Sequence, residues 1–584
     1  MPRRFLRFSY AETPDLKKLT EWLRARGANI SLVQIKESKV GNSAGLGMFI
    51  SETASHQHLK PCMGSHSKSR WWWPFSSAMQ QPLASFPLSS AITAANILRD
   101  PQLGRGYSWM LQHGVVDERT IIMAYLIAEK LKGDASEVAP WINALPRRFG
   151  TPVMFSEAEL EELKGTPLQK AAGIVRKRLE ELWASLEPAL NTLLREKGGV
   201  SREATFDDLL WAYSVFWSRG QSLPVPQSGA ASQVLARDPY AMIEVQEGIV
   251  PGLDFCNHQV VAPKCWWELT APDSNQDADT GSKNTDRSIN MIPNPKNTDP
   301  KSVHPVPDKA SPSTSSQTVG VAPGGSDVLI HLCLHRGTKV STGEELMISY
   351  GDKSNEELLM LYGFAVPGNP HDRIMMHCPV PPFAEWDEAM QGRIELMKML
   401  RYELQFFLPH PGNAPEASEN STLEALESVL RTLEVFVLTK EEVTQKLHAL
   451  KTSRTEALSK RFNLDEFQRR WVNLDTTSLL VMSKEMGIRM GAAAALVKML
   501  ETRVQDLEGA GGTGTFEQDL HLLSKMSLDS TKFACVAYRC GQKCITREYL
   551  KLARQHLQDV LTLMQDVEDK LKHKSTTTQP SVRG

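Results

Sequence analysis

Apolar residues recur at helical spacing near the start of the chain: Leu16, Leu19, Trp22 and Leu23 predict a helix that ends near Gly27. Ile30 to Ile35 reads as a strand leading into the glycine-rich stretch KVGNSAGLGMFIS, which turns and enters a second short strand through Met48, Phe49 and Ile50. From Thr53 to Phe86 no period emerges, and three tryptophans, Trp71 to Trp73, stand in a row, so no element is predicted there. Helical spacing then dominates from about 92 to 248. Asp117 caps one helix, whose apolar positions Ile121, Ile122, Tyr125 and Leu126 share a face and which Gly133 stops. Thr205 and Asp208 have capping-box spacing ahead of another, in which Leu209, Leu210, Tyr213, Phe216 and Trp217 form the apolar face.

The pattern fails again from Ala271 to Ser326, a stretch without Phe, Trp or Tyr and rich in Asn, Asp, Ser, Thr, Pro and Lys. Such a segment cannot bury enough apolar surface to offset its ordering entropy, so a flexible insertion is expected. Two strands follow, Val328 to Leu334 and one within GEELMISYG; Ser354 and Glu357 then make a second capping box for a short helix ended by Gly363. Beyond about 371 the spacing is helical almost throughout, broken at Pro409 to Pro411 and at 509–515, with a polar, frayed tail after Lys574.

Bulk properties narrow the field. At 584 residues the chain exceeds one compact core, and 41% hydrophobic with 23% charged residues is ordinary for a globular protein. A net charge of −2 gives no overall field to draw it to nucleic acid. No apolar run is long enough for a membrane span, and MPRRFLRFSY lacks the apolar core of a signal peptide. Eight cysteines without a CxxC pair read as reduced, mostly buried thiols of an intracellular protein.

Taken singly, the chemical candidates are weak. Gly45-Leu46-Gly47 leads into a strand rather than a helix, so it is a tight turn and not a phosphate loop. Asp254, Asn257 and His258 crowd into LDFCNHQ, but Cys256 and Cys265 lack the recurring spacing of zinc ligands, and no GxSxG elbow is present. A bonded turn is the reading for that cluster alone. Tyr350 and Tyr362, alone, read as half-buried core tyrosines.

In combination they change meaning. A GxG turn, SRG ending a helix, DFCNH after an apolar strand, then GEELMISYG and YGF, in that order, resemble the SET-domain protein methyltransferases. More narrowly the chain is similar to the branch of the Rubisco large-subunit lysine methyltransferase and the actin-histidine methyltransferase. KFACVAYRCGQK resembles the closing helix of that branch. The resemblance implies an α+β chain: a helical lead-in at 1–29, a β-rich SET fold at 30–365 interrupted by a helical insert at 92–248, an all-α substrate-binding domain at 371–575 and a disordered tail at 576–584. It implies S-adenosylmethionine as methyl donor, no metal, and transfer to a lysine of a non-histone protein, with histidine or a non-catalytic binding scaffold as the alternatives. A monomer is implied, without nucleic-acid or membrane partners, in the cytoplasm or nucleus, or alternatively the chloroplast.

By the same resemblance Ala44, Gly45, Leu46 and Gly47 hold the amino-acid end of the donor, Asn257 binds it by its side chain and His258 by its main chain. Arg219 faces both donor and target, and the Ser218 and Arg219 carbonyls line the target channel. Tyr350 stands at the transfer point, Tyr362 walls the channel and Asp254 is the acidic position near the target. Trp266 and Trp267 are candidates for the wall or for ordinary packing. Two departures stand out: Thr53 to Phe86 lacks the expected strand pair, which only FPLSSAIT recovers, and Gln221 follows SRG near the usual place of an aromatic.

Overall fold

A computed structural model describes residues 15–38, 45–52, 54, 82–200, 202–226, 243–270, 328–335, 337–411, 419–452, 476–527 and 530–577. The expectations for Ala44, for Trp71 to Trp73, for Cys62, for the insertion at 271–326 and for the last residues, 578–584, fall outside the described residues.

Helix α1 (Leu16–Ala25) buries Leu19 and Leu23 and is capped by Asp15, whose carboxylate accepts from Lys18 N at 3.0 Å. Strands β1 (Val33–Glu37) and β2 (Leu46–Ile50) form an antiparallel pair, with Lys36 opposite Gly47. The first strand thus starts three residues later than its apolar spacing predicts, because Ile30 packs in the core ahead of it. Strand β3 (Ala84–Pro87) begins inside the stretch for which no element was predicted and overlaps FPLSSAIT only at Phe86 and Pro87, and β4 (Ile92–Thr93) closes that motif.

The insert contains α2 (Glu118–Lys132), the short α3 (Ala139–Ile142), the long α4 (Pro167–Leu193) and α5 (Phe206–Arg219). Both predicted starts hold: Asp117 Oδ1 accepts from Thr120 N at 2.7 Å, and Asp208 Oδ2 accepts from Thr205 N at 3.1 Å. Helical spacing does not continue to 248, however. Strands β5 (Gln221–Pro226) and β6 (Ile243–Ile249) join β4 in a three-stranded sheet of order β4-β6-β5. Pro224 and Pro226 disguise β5, and its edge position is where a sheet tolerates proline.

Strands β7 (Asn257–His258), β8 (Cys265–Thr270), β9 (Leu329–Leu334) and β10 (Glu345–Ile348) complete a seven-stranded sheet of order β1-β2-β10-β8-β9-β3, with β7 paired to β10. Along β2 and β10 the faces alternate: Met48, Ile50, Leu346 and Ile348 are buried, whereas Phe49, Glu345 and Met347 are only partly so. The capping box at Ser354 starts α6 (Asn355–Glu357), and the chain then widens into a π-helical turn, Leu358–Tyr362, ended by Gly363 at φ 81°.

Beyond 371 the chain is helical with one addition. Strands β11 (Arg373–His377) and β12 (Gln405–Pro409) pair antiparallel around α7 (Glu388–Leu400). Their alternating burial is too short a signal to stand out between helices. Helices α8 (Glu419–Val437), α9 (Thr476–Glu508), α10 (Phe516–Lys525) and α11 (Thr531–Thr577) follow. The last helix runs through Thr577, past the fraying point expected after Lys574.

One apolar cluster unites the sheet with the insert around Trp141, Trp211, Met48 and Phe86, and a second fills the helices beyond 371 around Leu433, Leu496 and Tyr549. A third, smaller cluster joins them: Leu163 and Leu168 of the insert, Leu359 of the π turn, and Phe533 and Tyr538 of α11.

Candidate functional site

The site lies where β2, β7 and β10 meet. Parallel pairing sets Asn257 beside Met347, and antiparallel pairing sets Glu345 beside Phe49. Asn257 Nδ2 donates to Glu345 Oε1 at 2.7 Å and to Leu46 O at 3.4 Å. Glu345 Oε2 accepts from Ser38 Oγ at 3.0 Å. This carboxylate folds over Gly47 so closely that a Cβ there would meet Oε1 at 2.4 Å. Gly47 is therefore a matter of space: any side chain would evict Glu345. Of the glycine-rich turn, Leu46 is brought into contact with Asn257; Glu345 is missed by sequence because GEEL alone reads as a turn entering a strand.

Tyr350 follows β10 and turns back over β7. Its hydroxyl donates to Cys256 O at 2.9 Å across 94 positions of sequence, and its backbone N–H donates to His258 Nδ1 at 3.0 Å. The Tyr350 ring stacks on His258 at 4.8 Å and on Tyr362 at 4.7 Å, with Phe364 at 6.2 Å from both His258 and Tyr362. Burial, then the neighbouring Tyr362, raises the Tyr350 hydroxyl far above its ordinary range, and burial pushes Tyr362 up to about 12. Both phenols stay protonated at neutral pH.

Burial lowers His258 to about 4, so the imidazole is neutral and its bare Nδ1 can accept the Tyr350 N–H. The main chain of His258 pairs with Ile348, and Gln259 N donates to Ile348 O at 3.0 Å. The side chain, for which sequence suggested no part, thus helps to position Tyr350.

Arg219 closes α5 and points to the turn before Asn257. Its Nη1 donates to Asp254 Oδ2 at 3.0 Å and to Asp254 O at 2.9 Å, while its guanidinium lies 5.6 Å from the Phe255 ring centroid. The Asp254 side chain is 0% exposed and also accepts from Trp141 Nε1 at 3.1 Å and Gly252 N at 2.9 Å. Burial raises its carboxyl; Arg219 and the hydrogen bonds pull the other way. The carboxylate is thus enclosed by partners of its own, and Trp141, from α3 of the insert, is one that sequence spacing gave no reason to choose. Two polar atoms nearby are buried without a partner among the described residues, Arg219 Nε and Gln221 Oε1.

Ser218 spends its hydroxyl on its own helix, donating to Ser214 O at 2.6 Å. Its carbonyl and that of Arg219 belong to the last turn of α5, where no further turn follows to use them. Trp266 stacks on His335 at 6.2 Å and Trp267 packs against the core, so both have structural neighbours. Among the described residues no group of three His, Cys, Asp or Glu side chains is placed to hold a metal, and no helix is long and apolar enough to cross a membrane.

No family model matches the chain. The ribosomal lysine N-methyltransferase set10 of Schizosaccharomyces pombe is 25% identical over 289 residues, which are 49% of this chain and 39% of that protein. The chloroplastic [fructose-bisphosphate aldolase]-lysine N-methyltransferase of Arabidopsis thaliana is 34% identical over 101 residues, 17% of this chain and 20% of that protein. The chain thus spans less than half the length of either curated relative. Solved structures agree over nearly the full length. The SET domain of LSMT bound to methyllysine and AdoHcy has a TM-score of 0.57 at 16% identity, covering 94% of this chain and 93% of that one. Rubisco LSMT bound to AdoMet has a TM-score of 0.55 at 16% identity, with the same coverage. At such identity the likeness shows the fold: a SET fold with a helical insert and a helical region after it.

Proposed function

We propose that this chain, with the SET fold of the Rubisco methyltransferase structures, is a protein-lysine N-methyltransferase that uses S-adenosylmethionine and modifies a non-histone protein. The observation that carries the reading is the convergence of Gly45 to Gly47, Asn257 and Tyr350 from three distant segments onto adjacent strands. The names of the curated relatives, both lysine methyltransferases of non-histone proteins, support the substrate class. Seven free cysteines among the described residues fit a reducing compartment, such as the cytoplasm, the nucleus or, as the alternative, the chloroplast.

The donor supplies a methyl group on a cationic sulfur, open to in-line displacement by a neutral amine. Leu46, Asn257 and the main chain of Gly45, Gly47 and His258 would hold it, together with Ala44, which falls outside the described residues. Three observations fit such a ligand: the Arg219 Nε without an acceptor among the described residues, the close approach of Glu345 over Gly47, and the holding of that carboxylate by neutral donors among the described residues.

Tyr350, Tyr362 and Phe364 form an aromatic wall that would strip water from a lysine amine beside it, and that desolvation, with the donor's cationic sulfur close by, disfavours the charged ammonium. A lysine amine, with an ordinary pKa of about 10.4, is thereby helped to shed its proton. The carbonyls of Ser218 and Arg219 would face the amine, with Asp254 behind them holding Arg219. Tyr350, whose hydroxyl is fixed on Cys256 O, would present its oxygen where the methyl group moves. Alignment of donor and acceptor at close range supplies up to ~7–11 kcal/mol of the barrier reduction.

Calorimetric titration with S-adenosylmethionine tests the reading. The full chain should show saturable binding, Asn257→Ala should weaken it about tenfold, and Tyr350→Phe should leave it nearly unchanged while abolishing most methyl transfer. Tenfold corresponds to about 1.4 kcal/mol, the scale of one hydrogen bond lost from a ligand. A well-folded protein that takes no donor overturns the proposal in favour of a binding scaffold.

A further inference from the structure

We propose that Glu345 provides the countercharge for the α-ammonium group of S-adenosylmethionine; this deepens, and rests on, the reading of the site as a methyl-donor cradle. Around this sheet, Asp254 is paired with Arg219, Glu344 with Lys264, and Lys36 with Glu52. Glu345 differs. Its two oxygens are held by the Asn257 amide and the Ser38 hydroxyl, both neutral donors, and it makes no ion pair among the described residues.

A carboxylate has about four acceptor positions, so two remain for a further donor. Because Glu345 is partly buried, its charge is incompletely solvated, and a cation arriving beside it would offset that cost. Its position is also fixed: Gly47 leaves the hollow into which the carboxylate folds, and Asn257 and Ser38 aim it from opposite oxygens.

The amino-acid end of the donor carries an ammonium and a carboxylate. The site presents one unneutralised carboxylate, Glu345, and one buried N–H donor without an acceptor, Arg219 Nε. These are complementary in kind to the two charges of an amino acid. Asp254 cannot serve as the countercharge, because its side chain is fully enclosed by Arg219, Trp141 and Gly252.

Glu345→Gln separates charge from geometry, since an amide can still accept from Asn257 and still bond Ser38. Affinities of the full-length wild type and E345Q are measured for three probes: S-adenosylmethionine, S-adenosylhomocysteine, and 5′-methylthioadenosine, which lacks the amino-acid end. The expected result is a loss of about tenfold or more for the first two and none for the third, with the unfolding temperature of the free protein unchanged. A charge-assisted hydrogen bond, worth about 1.5–3 kcal/mol, sets that scale.

An equal loss for all three probes, or no loss for any, overturns the assignment of Glu345 while leaving the methyl-donor reading intact. A loss confined to S-adenosylmethionine also overturns it, because the contact would then be to the sulfonium. A wild-type protein that binds none of the three overturns the underlying reading, and this inference with it.

Discussion

Asp254 shows how much a single side chain can carry at this site. Its enclosed carboxylate ties the end of an insert helix, through Arg219, to a tryptophan of another insert segment and to the turn that precedes Asn257. Removing one partner of such a buried pair leaves the other charge stranded, at about 3–5 kcal/mol. Asp254→Asn should therefore lower the free energy of unfolding by a few kcal/mol in denaturant titration, and should weaken donor binding by releasing Arg219. Sequence placed Asp254, Asn257, Arg219 and Tyr350 in one neighbourhood because their motifs occur in a recognisable order. It was silent on Trp141 and Glu345, whose roles depend on contacts across 113 and 88 positions. It also assigned His258 to the main chain alone, because the part of the imidazole depends on burial: lowered to about 4, the ring is neutral and its Nδ1 accepts the Tyr350 N–H.

At the scale of elements, the helix starts were legible and several strands were not. Asp117, Thr205 and Ser354 cap helices by local hydrogen bonds that sequence spacing reveals directly. Strand β5 was hidden by its prolines, and the β11–β12 ribbon by its brevity between helices. The π turn at Leu358–Tyr362 has the spacing of an ordinary helix, because widened turns have no sequence signature; it sets the aim of Tyr362 onto Tyr350. Gly363 ends that turn at φ 81°, and a Cβ there would meet the Gly150 carbonyl carbon at 2.7 Å. Gly363→Ala is thus strained in its backbone and blocked by backbone of the insert. It should cost at least about 1–2 kcal/mol from the left-handed conformation alone. The expected readouts are a lower unfolding temperature and a methylation rate that falls more than donor affinity, because Tyr362 shifts and the donor cradle does not.

Across the whole molecule, the sheet and the helices beyond 371 are joined by a polar seam beside the third apolar cluster. Asp372 accepts from Asn355 N at 3.0 Å, Asn355 Nδ2 at 3.1 Å and Arg373 N at 3.1 Å, while Tyr538 of α11 donates to Glu356 at 2.9 Å. Burial pushes Asp372 up to about 7 from an ordinary 3.8. The folded chain therefore holds a proton there that the unfolded chain releases, so this group's contribution is full below about 4 and is lost as pH rises to about 7. In thermal unfolding, the gap between wild type and Asp372→Asn should shift against the wild type over that range; a gap independent of pH would refute the assignment. None of this seam was visible in the sequence, where Asn355 and Asp372 are unremarkable polar residues of a capped turn and a loop.

The architecture as a whole was legible, because motif order identifies a fold even where individual strands are obscure. The central claim is that this architecture transfers methyl groups to lysine, and the most direct measurement follows labelled methyl groups from S-adenosylmethionine into a protein extract lacking the enzyme. The expected result is label on lysine side chains with the wild type, and little with Tyr350→Phe at equal donor occupancy. Label absent from lysine despite full donor binding, or equal labelling by both proteins, would contradict it.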